Sequence, residues 1–91
     1  MYRVLWLQSA LTQLSAIWVD AASPLRAIVT ETVRQIDSEL RRDPVNLGES
    51  RSERSRIAFV APLGLLFRVD TVRRLAVVEK VWLLRRRQDT T

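Results

Sequence analysis

The chain has 91 residues, 47% of them hydrophobic and 27% charged, with a formal net charge of +5; this fits one folded domain with a modest core, not a disordered chain. Cysteine and histidine are both absent, which excludes disulfides, thiolate chemistry, a histidine-based nucleophilic triad and the usual zinc sites. The charge is unevenly placed: residues 1–43 are neutral, whereas residues 44–91 hold nine arginines and Lys80 against five acids.

Residues 2–7, Tyr2-Arg3-Val4-Leu5-Trp6-Leu7, are rich in β-formers and predict a first strand. Ser9 is placed to cap a helix whose apolar residues Ala10, Leu11, Leu14, Ile17, Trp18 and Ala21 recur at three- and four-residue spacing. Trp18 falls on that stripe and is expected in the core. Ser23-Pro24 predicts a second helix, with serine at the N-cap and proline at the first helical position. Its stripe is Leu25, Ile28, Val29, Val33, Ile36 and Leu40, and Asp43-Pro44 ends it. With so short a link the two helices form an antiparallel hairpin.

Residues 47–53 have no period and read as a polar loop. An extended pattern follows: a strand over 54–60, a turn at Pro62-Leu63-Gly64, a strand over 65–70, a connection at 71–73 and a long strand over 74–84. Glu79-Lys80 interrupts the last strand, so one of the two faces solvent and the other pairs inward or lies beyond the helix cover. The predicted order is β-α-α-β-β-β, an α+β domain over residues 1–87 with a polar tail at 88–91. Its helical hairpin packs on one face of a small curved antiparallel sheet and leaves the other face to a partner.

No stretch reaches the length of a bilayer span, because residues 57–67 are broken by Pro62 and Gly64. Gln8, Ser9, Thr12 and Gln13 interrupt the apolar N-terminus before a signal-peptide core forms. A cytoplasmic chain without a membrane contact is expected.

The opening Tyr2–Leu7 followed by Ala10, Leu14 and Ile17-Trp18, the Asp43-Pro44 helix end, the loop Gly48-Glu49-Ser50-Arg51 and the closing Val77–Trp82 with its basic cluster together resemble the RelE/ParE superfamily of toxins from type II toxin–antitoxin systems. The resemblance spans residues 2–87 and rests on order and scattered positions. It implies a toxin neutralised by a cognate antitoxin. The RelE branch cleaves mRNA on the ribosome without a metal or other cofactor, the ParE branch inhibits DNA gyrase without that chemistry, and a member that has lost toxicity would remain as an antitoxin-paired binding module; the shared fold does not choose among them.

Metal-free RNA cleavage needs a base for the 2′-hydroxyl, stabilisation of the phosphorane charge and a proton for the 5′-oxygen. Under the resemblance Arg54 and Arg56, alternating on one strand face, match the paired basic residues of RelE toxins, and with Arg85 they are the candidate catalytic residues. Arg51, Arg68, Arg86 and Arg87 are the candidate RNA ligands. Arginine's planar donor fork suits phosphate, although the same charges can serve as a solvated surface, and Arg51 can pair with Glu49 or Glu53.

Two departures stand out. The arginine that many RelE toxins carry early in the following strand is Gly64 here, and no C-terminal tyrosine is present, since the only tyrosine is Tyr2. No residue is an obvious proton carrier: guanidinium groups hold their protons too tightly to fill that role, and nothing places Glu49, Glu53 or Glu79 in a pocket. Trp82, next to the basic cluster, either packs in the core or stacks on a base, depending on which face of the last strand is buried.

Overall fold

The computed structural model describes residues 1–52 and 54–84. Five strands and two helices follow the chain as β1 (Arg3–Trp6), α1 (Gln8–Asp20), α2 (Ser23–Arg42), β2 (Glu49–Ser50), β3 (Ser55–Val60), β4 (Leu63–Asp70) and β5 (Leu75–Leu83). A 3-10 turn over Pro44–Asn46 links α2 to β2. The sheet order is β1-β5-β4-β3-β2. The meander β3-β4-β5 is antiparallel as expected, but β1 lies beside β5 in parallel, so the sheet is mixed. The two helices account for this: they carry the chain from the end of β1 back past the sheet, as a parallel neighbour requires.

Both helix starts differ from the sequence expectation. The Leu7 N–H still bonds the Val78 carbonyl, and the Leu7 carbonyl already accepts from Leu11 N–H. The helix therefore begins at Gln8, with Leu7 at the N-cap and no side-chain cap. Ser9 instead donates its hydroxyl to the Glu79 carbonyl at 3.1 Å. In α2 the N-cap is Ala22 and Ser23 is already helical.

The buried stripe of α2 is Val29, Thr32, Ile36 and Leu40, while Ile28 is exposed. Thr32 can be buried because its hydroxyl bonds the Ile28 carbonyl at 2.8 Å, which leaves its methyl for packing. From α1, Ala10 is buried and Leu14 and Ile17 pack against the core, but Trp18 is 43% exposed. Its indole N–H bonds Thr30, and the Arg26 guanidinium lies 4.4 Å above its ring. The same guanidinium donates to the carbonyls of Trp18 and Val19, covering the open C-terminal end of α1. Trp18 thus clamps the helical hairpin at its surface.

In the meander, two residues join β3 to β4: the turn is Ala61-Pro62, with a cis peptide between them, and Leu63 and Gly64 are already in β4. The presumed loop before β3 includes the short strand β2, Glu49 opposite Ile57 and Ser50 opposite Arg56. Gly48 makes this approach possible: at φ +70 it sits against β3, where a Cβ would collide with the Ile57 carbonyl oxygen.

Alternation in the meander defines two faces. Leu63, Leu65 and Phe67 of β4, with Ala58 of β3 and Ala76, Val78 and Val81 of β5, are buried under the helices. Gly64, Leu66 and Arg68 point the other way. A register shift between Leu66 and Phe67 inserts one extra residue in β5, so Val78 and Val81, three apart, both reach the core. Glu79 and Lys80 then both stand on the open side, so neither turns inward. The disturbed edge of β5 is satisfied by α1, through Ser9 at the Glu79 carbonyl and through the Gln13 side-chain oxygen, which accepts from Val81 N–H at 2.8 Å.

Candidate nucleic-acid interface

Beyond the start of β3, β4 continues to its turn with β5, and a cleft of about 710 Å³ opens between this hairpin and the β2 region. Its walls bring together Arg54, Arg56, Arg68 and Arg73 with Ser50 and Asp70, on a floor that includes Leu75 and Val77. The sequence treated Arg54 and Arg56 as neighbours on one strand face, and the structure corrects this. Arg54 precedes β3. Arg56 is on the helix-side face, paired with Phe67, and donates through Nε to the Leu47 carbonyl and through Nη2 to the Gly48 carbonyl, each at 2.9 Å. Those two carbonyls are left over as the chain passes from the 3-10 turn into β2, so Arg56 holds the cleft wall as well as lining it.

Arg68 is on the open face and forms a 2.7 Å ion pair with Glu79, made possible by the extra residue in β5 that turns Glu79 to that side. Arg73, missed by the sequence reading, enters through the β4–β5 turn. Asp70 accepts from the Arg73 backbone N–H at 2.9 Å, and its other oxygen lies 3.9 Å from the Arg73 Nε. Arg74, at φ 55, closes the turn in left-handed backbone. A charged residue inside a predicted short turn carried no periodic signal that could have marked it as part of a site.

Arg51 is exposed and lies outside the cleft walls; its backbone N–H bonds the Ser55 carbonyl across the β2–β3 turn. Arg85, Arg86 and Arg87, and the tail at 88–91, lie outside the described residues, as does Glu53. The structure therefore brings Arg54, Arg56 and Arg68 of the expected set into one place and adds Arg73. Among the described residues Asp70 is the carboxylate of the cleft walls, and it is engaged by the turn. Tyr2 is remote, its backbone N–H tied to the Arg41 carbonyl at the end of α2. Among the described residues no three His, Cys, Asp or Glu side chains are grouped to hold a metal ion, and no helix is long and apolar enough to cross a membrane.

The open face beside the cleft is apolar and aromatic. Phe59 is 61% exposed and meets Trp82 edge-on, with ring centroids 6.3 Å apart and planes at 78°. Trp82 lies across Gly64, where a Cβ would come 2.5 Å from the indole Cε2. The glycine at the position where RelE toxins were expected to carry arginine thus has a steric cause, because the indole fills the space a side chain would need. Trp82 is resolved as an open-face residue, while Trp6 packs against the core.

No family model and no curated protein matches the chain. Solved structures do. A chain of the RelBE2 toxin–antitoxin complex from Mycobacterium tuberculosis superposes with a TM-score of 0.72 at 21% identity, covering 90% of both chains. A chain of the chromosomal ParDE system from P. aeruginosa gives 0.71 at 20% identity, covering 93% of this chain and 98% of that one. The isolated E. coli RelE toxin gives 0.62 at 14% identity, over 97% of this chain and 89% of that one. The helical hairpin on a five-stranded mixed sheet is the fold shared by the RelE and ParE toxins.

Proposed function

We propose that this chain is the toxin of a type II toxin–antitoxin system, held inactive by a cognate antitoxin, and that its cleft receives the phosphate backbone of mRNA on the ribosome. One observation carries the RNA reading: four guanidinium groups from three separate segments line one cleft beside an open sheet face. Arginine forks suit phosphate oxygens, and cations gathered in a concave site reinforce one another's field. Arg54 and Arg73 stand at the mouth as phosphate ligands, Arg68 exchanges Glu79 for phosphate, and Arg56 keeps the wall in place. In the sequence Arg85, Arg86 and Arg87 follow β5, and Arg85 is the further candidate for stabilising charge on a reacting phosphate.

A second reading has its own support. Among the described residues the cleft walls hold no tyrosine, histidine or lysine, and the Asp70 carboxylate is engaged by the turn; a site of this composition favours binding over proton transfer. In that reading the toxin inhibits DNA gyrase or another protein by occupying it.

Induced expression in a bacterial host separates the two. Growth arrest with cuts inside codons of translated messages, mapped by primer extension, supports RNA cleavage. Arrest with intact messages and damaged DNA supports gyrase inhibition, and an absence of arrest removes the toxin reading. Arg54→Ala with Arg73→Ala should abolish arrest while the protein still folds. Arg56→Ala is the wrong probe, because it also releases the Leu47 and Gly48 carbonyls.

A further inference from the structure

We propose that Phe59 and Trp82, seated around Gly64, form a stacking platform for the bases of a single-stranded RNA whose backbone crosses the open face into the arginine cleft. This inference rests on the RNA reading above and adds a base-binding site to it. The register aligns Phe59, Gly64 and Trp82 as one row across β3, β4 and β5, with Ile57, Leu66 and Lys80 as the next row. The row after that contains Ser55, Arg68 and Val77, of which Arg68 and Val77 line the cleft.

From Gly64 to Arg68 is four residues of strand, about 13 Å, so a stacked base and a phosphate at Arg68 belong to the same short stretch of nucleic acid. β2 covers β3 only at Arg56 and Ile57, which leaves Phe59 at an uncovered edge where a base can approach the ring. Phe59 is among the most exposed of the large hydrophobic side chains, and an exposed aromatic ring gives every base a π-face to stack on.

Charge decides for nucleic acid as the occupant. Lys80 stands exposed in the row between platform and cleft, the Arg68–Glu79 pair carries no net charge, and Arg54, Arg56 and Arg73 line the cleft with Asp70. Glu49, opposite Ile57, ends that same row at the β2 edge and offsets Lys80 there, so the excess positive charge lies in the cleft that the backbone enters. Trp82 is held from below by the missing Cβ of Gly64 and from the side by Phe59, so little ordering is needed when a base arrives.

The test compares binding, by fluorescence anisotropy, of a short labelled oligouridylate RNA and an abasic strand of the same length and charge. Phe59→Ala should weaken the RNA roughly five-fold to a hundred-fold, the range for one stacked base, and leave the abasic strand within about two-fold. Phe59→Trp should retain RNA binding. Arg54→Ala should weaken both strands alike and lower the salt dependence by about one counterion.

If Phe59→Ala binds RNA as well as the unaltered protein does, or weakens both strands equally, the platform is refuted while the RNA reading stands. If the unaltered protein binds neither strand, or Arg54→Ala changes neither affinity, the RNA reading fails and the platform with it. A protein partner for this face would appear as the first of these results.

Discussion

β4 has two faces that differ in what they are made to do. Leu63, Leu65 and Phe67 are wholly buried beneath the helices, whereas Gly64, Leu66 and Arg68, interleaved with them, look onto the open side. On the first face shape and volume decide, because packed side chains have nowhere to go when one is cut down. On the second the packing is looser, apart from Gly64 beneath the Trp82 indole, and the residue types (a glycine, an aliphatic spacer, a cation) suit a surface for a ligand. On the proposed function, stability and ligand binding fall to alternate residues of one strand, and substitutions one position apart should separate them.

The largest contrast lies between Phe67→Ala and Leu66→Ala. Phe67 is fully buried, and its truncation should cost about 3–5 kcal/mol, lowering the melting temperature by roughly 12–40 °C for a domain of this size. Leu66→Ala, one residue away on the open face and partly buried, should cost about 1–2 kcal/mol. Urea unfolding of the two variants measures the gap, and comparable losses would mean that the open face is covered by something within the folded chain.

Gly64→Ala comes next. The new methyl must displace the Trp82 indole, at about 1–3 kcal/mol of overpacking strain. Trp82→Ala in the same chain should return part of that loss. A double-mutant cycle with no coupling would show that the indole does not rest on the glycine.

Gln13→Ala tests the join between the faces. Without its side-chain oxygen the Val81 N–H has no partner beside the extra residue of β5, at a cost of about 1–2 kcal/mol. Amide hydrogen exchange at Val81 should accelerate before that of neighbouring core amides. Unchanged protection there would place the support of the irregular β5 edge elsewhere.

How far the sequence foretold these two faces depends on what each feature leaves in the chain. Elements with a period were legible: both helices, the three meander strands and the core positions Ala10, Val29, Ile36 and Leu40. Thr32 was missed because its hydroxyl hides a buried role that only the bond to the Ile28 carbonyl permits. The extra residue in β5 could not be read either, since an alternating pattern with one insertion looks like a strand with two stray charges at Glu79 and Lys80. The site suffered most from this. Arg54 and Arg56 were assigned a common face by counting in twos, a rule that fails once β3 begins after Arg54 and Arg56 turns to the Leu47 and Gly48 carbonyls. Arg73 was invisible because its position comes from the β4–β5 turn and not from any repeat.

Glu79→Gln should have the smallest effect on stability and yet bears most directly on the open face. The pair it forms with Arg68 is half exposed on the arginine side, with side-chain exposures of 48% and 24%. Solvent screens such a pair, so the folded state should lose about 0.5 kcal/mol or less. Binding should move the other way. In the free protein Glu79 competes with any phosphate for the Arg68 guanidinium, and its carboxylate repels an approaching backbone. Removing that charge should tighten single-stranded RNA binding by about two-fold to five-fold at low ionic strength, with the gain fading as salt is added. A protein that keeps its stability and gains affinity would place Arg68 on the path of the backbone between platform and cleft. Unchanged affinity at every salt concentration would take Arg68 off that path and leave Arg54 and Arg73 to carry the phosphate contacts.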